Sequence, residues 1–252
     1  FDNYGLLDEL GYDYIELAGR DVVEYEPSRL DEMAKTIREG RVKCCGFNSA
    51  VPASVPIVGE GASADKTREY AKRLCEVGAK LGIGAIGIGS PACRRLPYGY
   101  DVPLSNSQAA EFLSIFCDVA EAYGIRILWE HLNPTEANYG LSWNHGAELV
   151  RRVNKKNMAL VCDLYHIDIN RESLRDLEQD PSLIGHVHMA QLEGTARLGL
   201  LPSHEDRYEE FFAKLRSLHY DGIVSIEAFS GVPSEEAARS IGILKKLAQA
   251  RD

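Results

Sequence analysis

Along the 252-residue chain, hydrophobic and polar positions fall into two alternating kinds of segment. Short β-branched runs, in which facing alternates residue by residue, are each followed by a longer stretch with helical apolar periodicity. Strands are expected at 13–17 ("DYIEL"), 42–48, 85–89, 125–130, 158–163, 184–190 and 223–228. Helices are expected at 28–39, 63–81, 106–123, 144–153, 172–178, 208–218 and 234–250, with one more helical segment, "LLDELG", ahead of the first strand. Such alternation implies an α/β protein with a parallel sheet, because parallel neighbours need a crossover, usually a helix, between them. Eight such units close a (β/α)8 TIM barrel of about 250 residues. The pattern is that of a barrel whose first strand is expected upstream of Phe1. A doubly wound open sheet is the alternative, and the lack of a GxGxxG turn after the first strand counts against it.

Connection lengths give this sheet a polarity. Helix-to-strand links are clipped ("EGR", "LGIG", "YGI", "HYDG"), whereas strand-to-helix links at 49–62, 90–105, 131–143 and 191–207 are long. In a barrel the long links gather at the C-terminal face, where catalytic groups project from strand ends.

Composition narrows the class without changing the fold. A hydrophobic content of 45% suits a single domain over 1–252, and no Pro/Gly/Ser-rich linker divides it. With 38 acidic against 28 basic residues the net charge is −10, which argues against broad nucleic-acid binding. The 6 cysteines include no CxxC pair and several fall in apolar runs, so buried reduced thiols in a cytoplasmic protein are expected rather than disulfides. No signal-like segment or run of about 18 apolar residues is present, and no membrane span is expected.

The chemistry is concentrated at strand ends. In "IRILWEHLNP" an apolar run finishes on Glu130; if Glu130 faces inward, so do Leu128 and Arg126, while Ile127 and Trp129 face the helices. The same register places Asp163 above Val161 and Ala159, His188 above His186, and Glu227 above Ser225 and Ile223. Glu130, Asp163, His188 and Glu227 are spaced 33, 25 and 39 residues apart, each about one strand–helix unit. Four consecutive strands would therefore aim their last inward side chains at one region. Three carboxylates meeting there would repel one another, and a divalent cation removes the conflict, with neutral imidazole as a further ligand. An oxygen-rich set with one nitrogen suits Mn²⁺, Mg²⁺ or Co²⁺ better than Zn²⁺. Singly, each carboxylate has the rival reading of a helix cap or salt-bridge partner, and His188 that of a hydrogen-bonded core histidine. The shared register favours the joint reading.

The motifs "WEHLNPTEAN", "CDLYHIDI", "HVHMA", "SIEAF" and "LGYDYIEL" resemble the xylose isomerase-like TIM barrels, and most of all the branch of D-tagatose and D-psicose 3-epimerases. The resemblance implies one divalent metal per chain, Mn²⁺ first, held by Glu130, Asp163, His188 and Glu227. It implies that Glu130 and Glu227 act as an acid/base pair on opposite faces of a sugar. His166, Glu136, His186 and Arg197 are the implied substrate contacts, and a homodimer or homotetramer is the implied assembly. One departure stands out: "MAQLEGTARLGLLP" sets Arg197 later than the branch does and lacks its Pro-Gly, leaving a solvated loop arginine as the alternative. The loop "RRLPYGYDVP" is expected either to hang Tyr98 and Tyr100 over the barrel mouth or to pack them on the surface.

Rival functions remain within reach of the same residues. A lyase or dehydratase acting on a keto-inositol or an oxidised glycoside shares the proton abstraction beside a carbonyl. A trinuclear zinc phosphodiesterase of the endonuclease IV kind would need histidines at earlier strand ends. Asn48 and Gly89–Ser90 stand there instead, and no histidine precedes Glu130. A non-catalytic sugar-binding barrel would be expected to have lost one of the four metal positions, and none is lost.

Overall fold

The structure, a computed structural model, describes residues 1–228 and 233–250; Phe229, the last residue of the "SIEAF" motif, lies outside them. The strands are β1 (Tyr14–Ala18), β2 (Lys43–Asn48), β3 (Ala85–Ile88), β4 (Arg126–Glu130), β5 (Met158–Asp163), β6 (Ile184–Met189), β7 (Gln191–Glu193), β8 (Ala196–Leu198) and β9 (Val224–Ile226). The helices are α1 (Tyr4–Leu10), α2 (Gly19–Val22), α3 (Pro27–Glu39), α4 (Ala64–Leu81), α5 (Val102–Glu121), α6 (Trp143–Val153), α7 (Leu164–Asn170), α8 (Glu205–Ser217) and α9 (Pro233–Gln249). Seven strands pair in parallel in the order β1-β2-β3-β4-β5-β6-β9, with helices alternating between them, and form a nearly closed barrel. Between the free edges of β1 and β9, where an eight-stranded barrel would hold one more strand, lies a cavity of about 500 Å³. Glu16, Ser225 and residues of α1 and α9 line it.

The alternation read from the sequence separates the core into two parts. Ile86, Ile127, Trp129, Leu160, Cys162 and Val187 point outward into the layer between sheet and helices. Leu128, Ala159 and Val161 pack with one another as a separate small cluster inside the barrel. Facing positions on β4 and β5 are thus the inward ones beneath Glu130 and Asp163, as the strand pattern requires. All six cysteines are free, and burial pushes their thiols up, Cys93 to about 11.

Two local differences from the sequence pattern bear on the site. A helix forms at Leu164–Asn170, directly after β5, and the expected helix at 172–178 is a 3₁₀ segment at Leu174–Gln179. "LYHIDIN" falls between the expected strand and helix, and the Asp163 side chain accepts the Tyr165 N–H at 2.9 Å and caps a helix there. The long link at 191–207 contains an antiparallel hairpin, β7 with β8, pairing Leu192 with Arg197. Gly194, at φ +63°, opens its two-residue turn, a conformation that favours glycine.

Candidate functional site

The C-terminal ends of β4, β5, β6 and β9 bring Glu130, Asp163, His188 and Glu227 together. One ligand atom from each of these four lies within 4.8 Å of all the others. Register explains the convergence: Asp163 pairs with His188 across β5 and β6, and the Glu227 N–H donates to Met189 O at 3.0 Å. His188 Nδ1 lies 3.1 Å from both Glu130 Oε1 and Glu227 Oε2. All four groups are buried or nearly so, with Asp163 fully enclosed.

Neighbouring residues shape this cluster. A Cβ at Gly89, just past β3, would sit 1.7 Å from Glu130 Oε2, so the bare backbone there makes the space the carboxylate fills. Asn48, at the end of β2, donates through Nδ2 to Glu227 Oε1 at 3.0 Å. Arg94 is wholly buried. Its guanidinium donates to Glu130 O at 2.8 Å and Ile88 O at 2.5 Å and lies over the Trp129 ring, tying the ends of β3 and β4 together.

Arg197 is not a solvated loop residue. The hairpin folds it back over the mouth, where it is 8% exposed and its Nη2 donates to both Asp163 Oδ2 and Glu227 Oε2. Its Nε donates to Glu227 O at 2.7 Å.

His166, on α7, stands beside the cluster with Nε2 3.5 Å from Asp163 Oδ2 and 4.0 Å from Glu130 Oε1. The Asn133 Oδ1 accepts from the Thr135 N–H at 2.9 Å, so Nδ2 is the atom donating to His166 Nδ1 at 3.0 Å. Arg197 Nη1 lies 3.4 Å from the other ring nitrogen, Nε2, so both nitrogens of His166 face donors. Asn133 Nδ2 also donates to Glu136 Oε1 at 2.9 Å, which draws Glu136 to the same side of the mouth. His186 is placed differently. It lies one pleat below His188, with Nε2 3.1 Å from Glu16 Oε1 and 2.9 Å from Ser225 Oγ. Tyr98 projects fully into solvent, and Tyr100 accepts from Gln108 at 3.3 Å.

Electrostatics follow from burial and crowding. Burial pushes the Asp163 carboxyl up to about 7, only partly offset by Arg197. Burial also works to raise Glu227, but Arg197 and then His188 outweigh it and hold that carboxyl below its ordinary value. His188 runs the other way: burial disfavours its charge, yet Glu16 and Glu227 raise it well above the usual imidazole. His166 is kept neutral, by burial first and by Arg197 second. Buried carboxylates in this number require positive charge nearby, and Arg197 and protonated His188 supply it here. The chemistry of the donor set, three carboxylates and one imidazole converging on one small space, fits an oxygen-preferring divalent cation.

Glu16 is the residue that the strand-end reading missed. Its Oε2 lies 3.0 Å from His188 Nε2, and with His186 and His188 it forms a second group whose ligand atoms lie within 4.8 Å of one another. The available signal was a charge set among apolar residues in "YIEL".

The chain belongs to the xylose isomerase-like TIM barrel family, which it matches over residues 5–247. It is 26% identical over 228 residues to the D-psicose 3-epimerase of Agrobacterium fabrum (strain C58), across 88% of this chain and 76% of that one. The inosose isomerase of Halalkalibacterium halodurans is 25% identical over 241 residues, across 87% of this chain and 79% of its own. A D-psicose 3-epimerase crystallised in the presence of D-fructose shares the fold with a TM-score of 0.80 and 22% identity, over 96% of this chain and 91% of its own. By their names, these relatives are sugar and inosose epimerases and isomerases. Among the described residues no helix is long and apolar enough to cross a membrane.

Proposed function

We propose that this protein is a divalent-metal-dependent isomerase or epimerase of a small ketose, acting by proton transfer at the carbon beside the carbonyl. The observation that carries the reading is the convergence of Glu130, Asp163, His188 and Glu227 within 4.8 Å at one end of the barrel. Both named relatives act, by their names, on polyhydroxy ketones, psicose and inosose, which supports the substrate class. In this reading the same four side chains hold the cation, Mn²⁺ being the natural choice for such a donor set. When bound, the cation supplies Lewis-acid polarisation of the substrate carbonyl and its neighbouring hydroxyl.

The rest falls to the chain's own groups. A ketose C–H beside a polarised carbonyl is acidic enough for a carboxylate to remove its proton. Glu130 and Glu227 come from strands that two others separate, so they approach a sugar seated between them from different sides. One takes the proton; the other returns a proton to the opposite face, inverting the carbon, and the roles exchange in the reverse reaction. His166 presents its imidazole to the substrate oxygens. Arg197 presents a guanidinium beside it, and Glu136 accepts from a sugar hydroxyl. With Arg197 folded over the mouth, bulk water is kept from the carbon while it carries extra charge.

Solvent exchange tests this directly. Incubated with Mn²⁺ in D₂O, the protein is expected to exchange the proton beside the carbonyl in at least one member of a panel of ketoses and inososes. An epimerised or isomerised product should appear at a comparable rate. Exchange with no isomeric product would move the assignment to a lyase. No exchange from any panel member, with metal demonstrably bound, would remove the enzymatic reading.

A further inference from the structure

We infer that Glu16 is a positioning residue, fixing the His188 ring so that Nδ1, and not Nε2, is presented to the metal. This rests on the proposed metal site and adds a residue from a strand outside it. His188 has two ring nitrogens, and the structure assigns them separate partners. Nδ1 faces Glu130 and Glu227, at 3.1 Å each, while Nε2 faces Glu16 Oε2 at 3.0 Å. Glu16 stands on β1, which is not a neighbour of β6 in the sheet, so the contact crosses the barrel interior.

A carboxylate in this place accepts and cannot donate, so it holds the Nε2 proton of His188, and the proton a bound cation would displace is the one on Nδ1, facing the cluster. Metal-bound imidazoles are held in this way by a carboxylate on their other nitrogen, which fixes the tautomer and raises ligand basicity. Glu16 is itself held. Its second oxygen lies 3.1 Å from His186 Nε2, and that nitrogen lies 2.9 Å from Ser225 Oγ on β9. The resulting chain Ser225–His186–Glu16–His188 runs inward from the seam cavity, which Glu16 and Ser225 both line. It gives His186 a place in supporting the site from below. A backbone irregularity between Ile15 and Glu16 shifts the β1–β2 register there, setting Glu16 opposite Gly46.

The alternative is that Glu16 only neutralises two buried imidazoles, with no bearing on how metal is held. Two measurements separate these. Glu16→Gln keeps the shape but replaces an acceptor-only group with an amide, and its Mn²⁺ dissociation constant, measured by calorimetry, should rise about ten- to a hundredfold. In the unsubstituted protein loaded with Zn²⁺ as a diamagnetic probe, long-range ¹H–¹⁵N spectra should show His188 protonated on Nε2 and metal-bound through Nδ1. Unchanged Mn²⁺ affinity in Glu16→Gln would overturn the inference. So would a proton on Nδ1 with the metal on Nε2, and that spectrum needs no variant. Should the unsubstituted protein bind no divalent metal at all, the proposed function fails along with this inference. Equal binding by the protein and its variant removes the role of Glu16 alone.

Discussion

Gly89→Ala is expected to cut turnover and Mn²⁺ affinity by about a hundredfold or more while the protein stays folded. The added methyl would occupy a point 1.7 Å from Glu130 Oε2 and 2.9 Å from its Cδ. No two atoms can share that space, and the lightest movement available is rotation of the Glu130 side chain, since the contact falls on its flexible end. The fold can absorb such a rotation; the site cannot. A carboxylate displaced by about an ångström from its working position is enough to cost about two orders of magnitude in rate. Calorimetric titration with Mn²⁺ and the solvent-exchange assay check the functional half, and thermal unfolding of the metal-free protein checks the structural half. Near-native affinity and turnover in Gly89→Ala would mean that Glu130 does not work from the position seen here.

Arg197→Met is the second substitution with a large expected effect, and its cost in stability depends on metal. Arg197 lies between the Asp163 and Glu227 carboxylates, and all three side chains are buried or nearly so. Removing one partner from a buried ionic group leaves charge uncompensated and costs about 3–5 kcal/mol. For a chain of this size that is a fall of on the order of 10 °C in the unfolding midpoint. Binding Mn²⁺ supplies the missing positive charge, so saturating metal should raise the midpoint of Arg197→Met further than that of the unsubstituted protein. Turnover should stay low even in the metal-loaded variant, because the guanidinium that faces the substrate beside His166 is gone. Equal metal-induced shifts in the two proteins would show that Arg197 does not balance these carboxylates.

How much of this was legible in the sequence depended on whether a feature is local along the chain. Strand alternation is local, so the inward facing of Glu130, Asp163 and His188 follows from counting residues, and the separate Leu128–Ala159–Val161 cluster agrees with it. Contacts across the barrel are not local. Glu16 and His188 are 172 residues apart, and within "DYIEL" nothing signals that the carboxylate will meet two histidines. Arg197 was named as a candidate, yet its burial depends on the β7–β8 hairpin, whose strands are too short to announce themselves by periodicity. Gly89 carried no visible signal either. Its role is to leave space, and only the coordinates show that Glu130 fills it. The start of α7 was hidden because Asp163 serves at once as a strand end, a helix cap and a member of the cluster.

The central claim is that Glu130, Asp163, His188 and Glu227 hold one divalent cation. Crystals of the protein grown with Mn²⁺ and measured for anomalous scattering test it most directly. One strong peak per chain is expected at coordination distance from all four side chains, with His188 bound through Nδ1. A peak seated instead on Glu16 and His186, or metal-soaked crystals with no peak at the ends of β4, β5, β6 and β9, would contradict it.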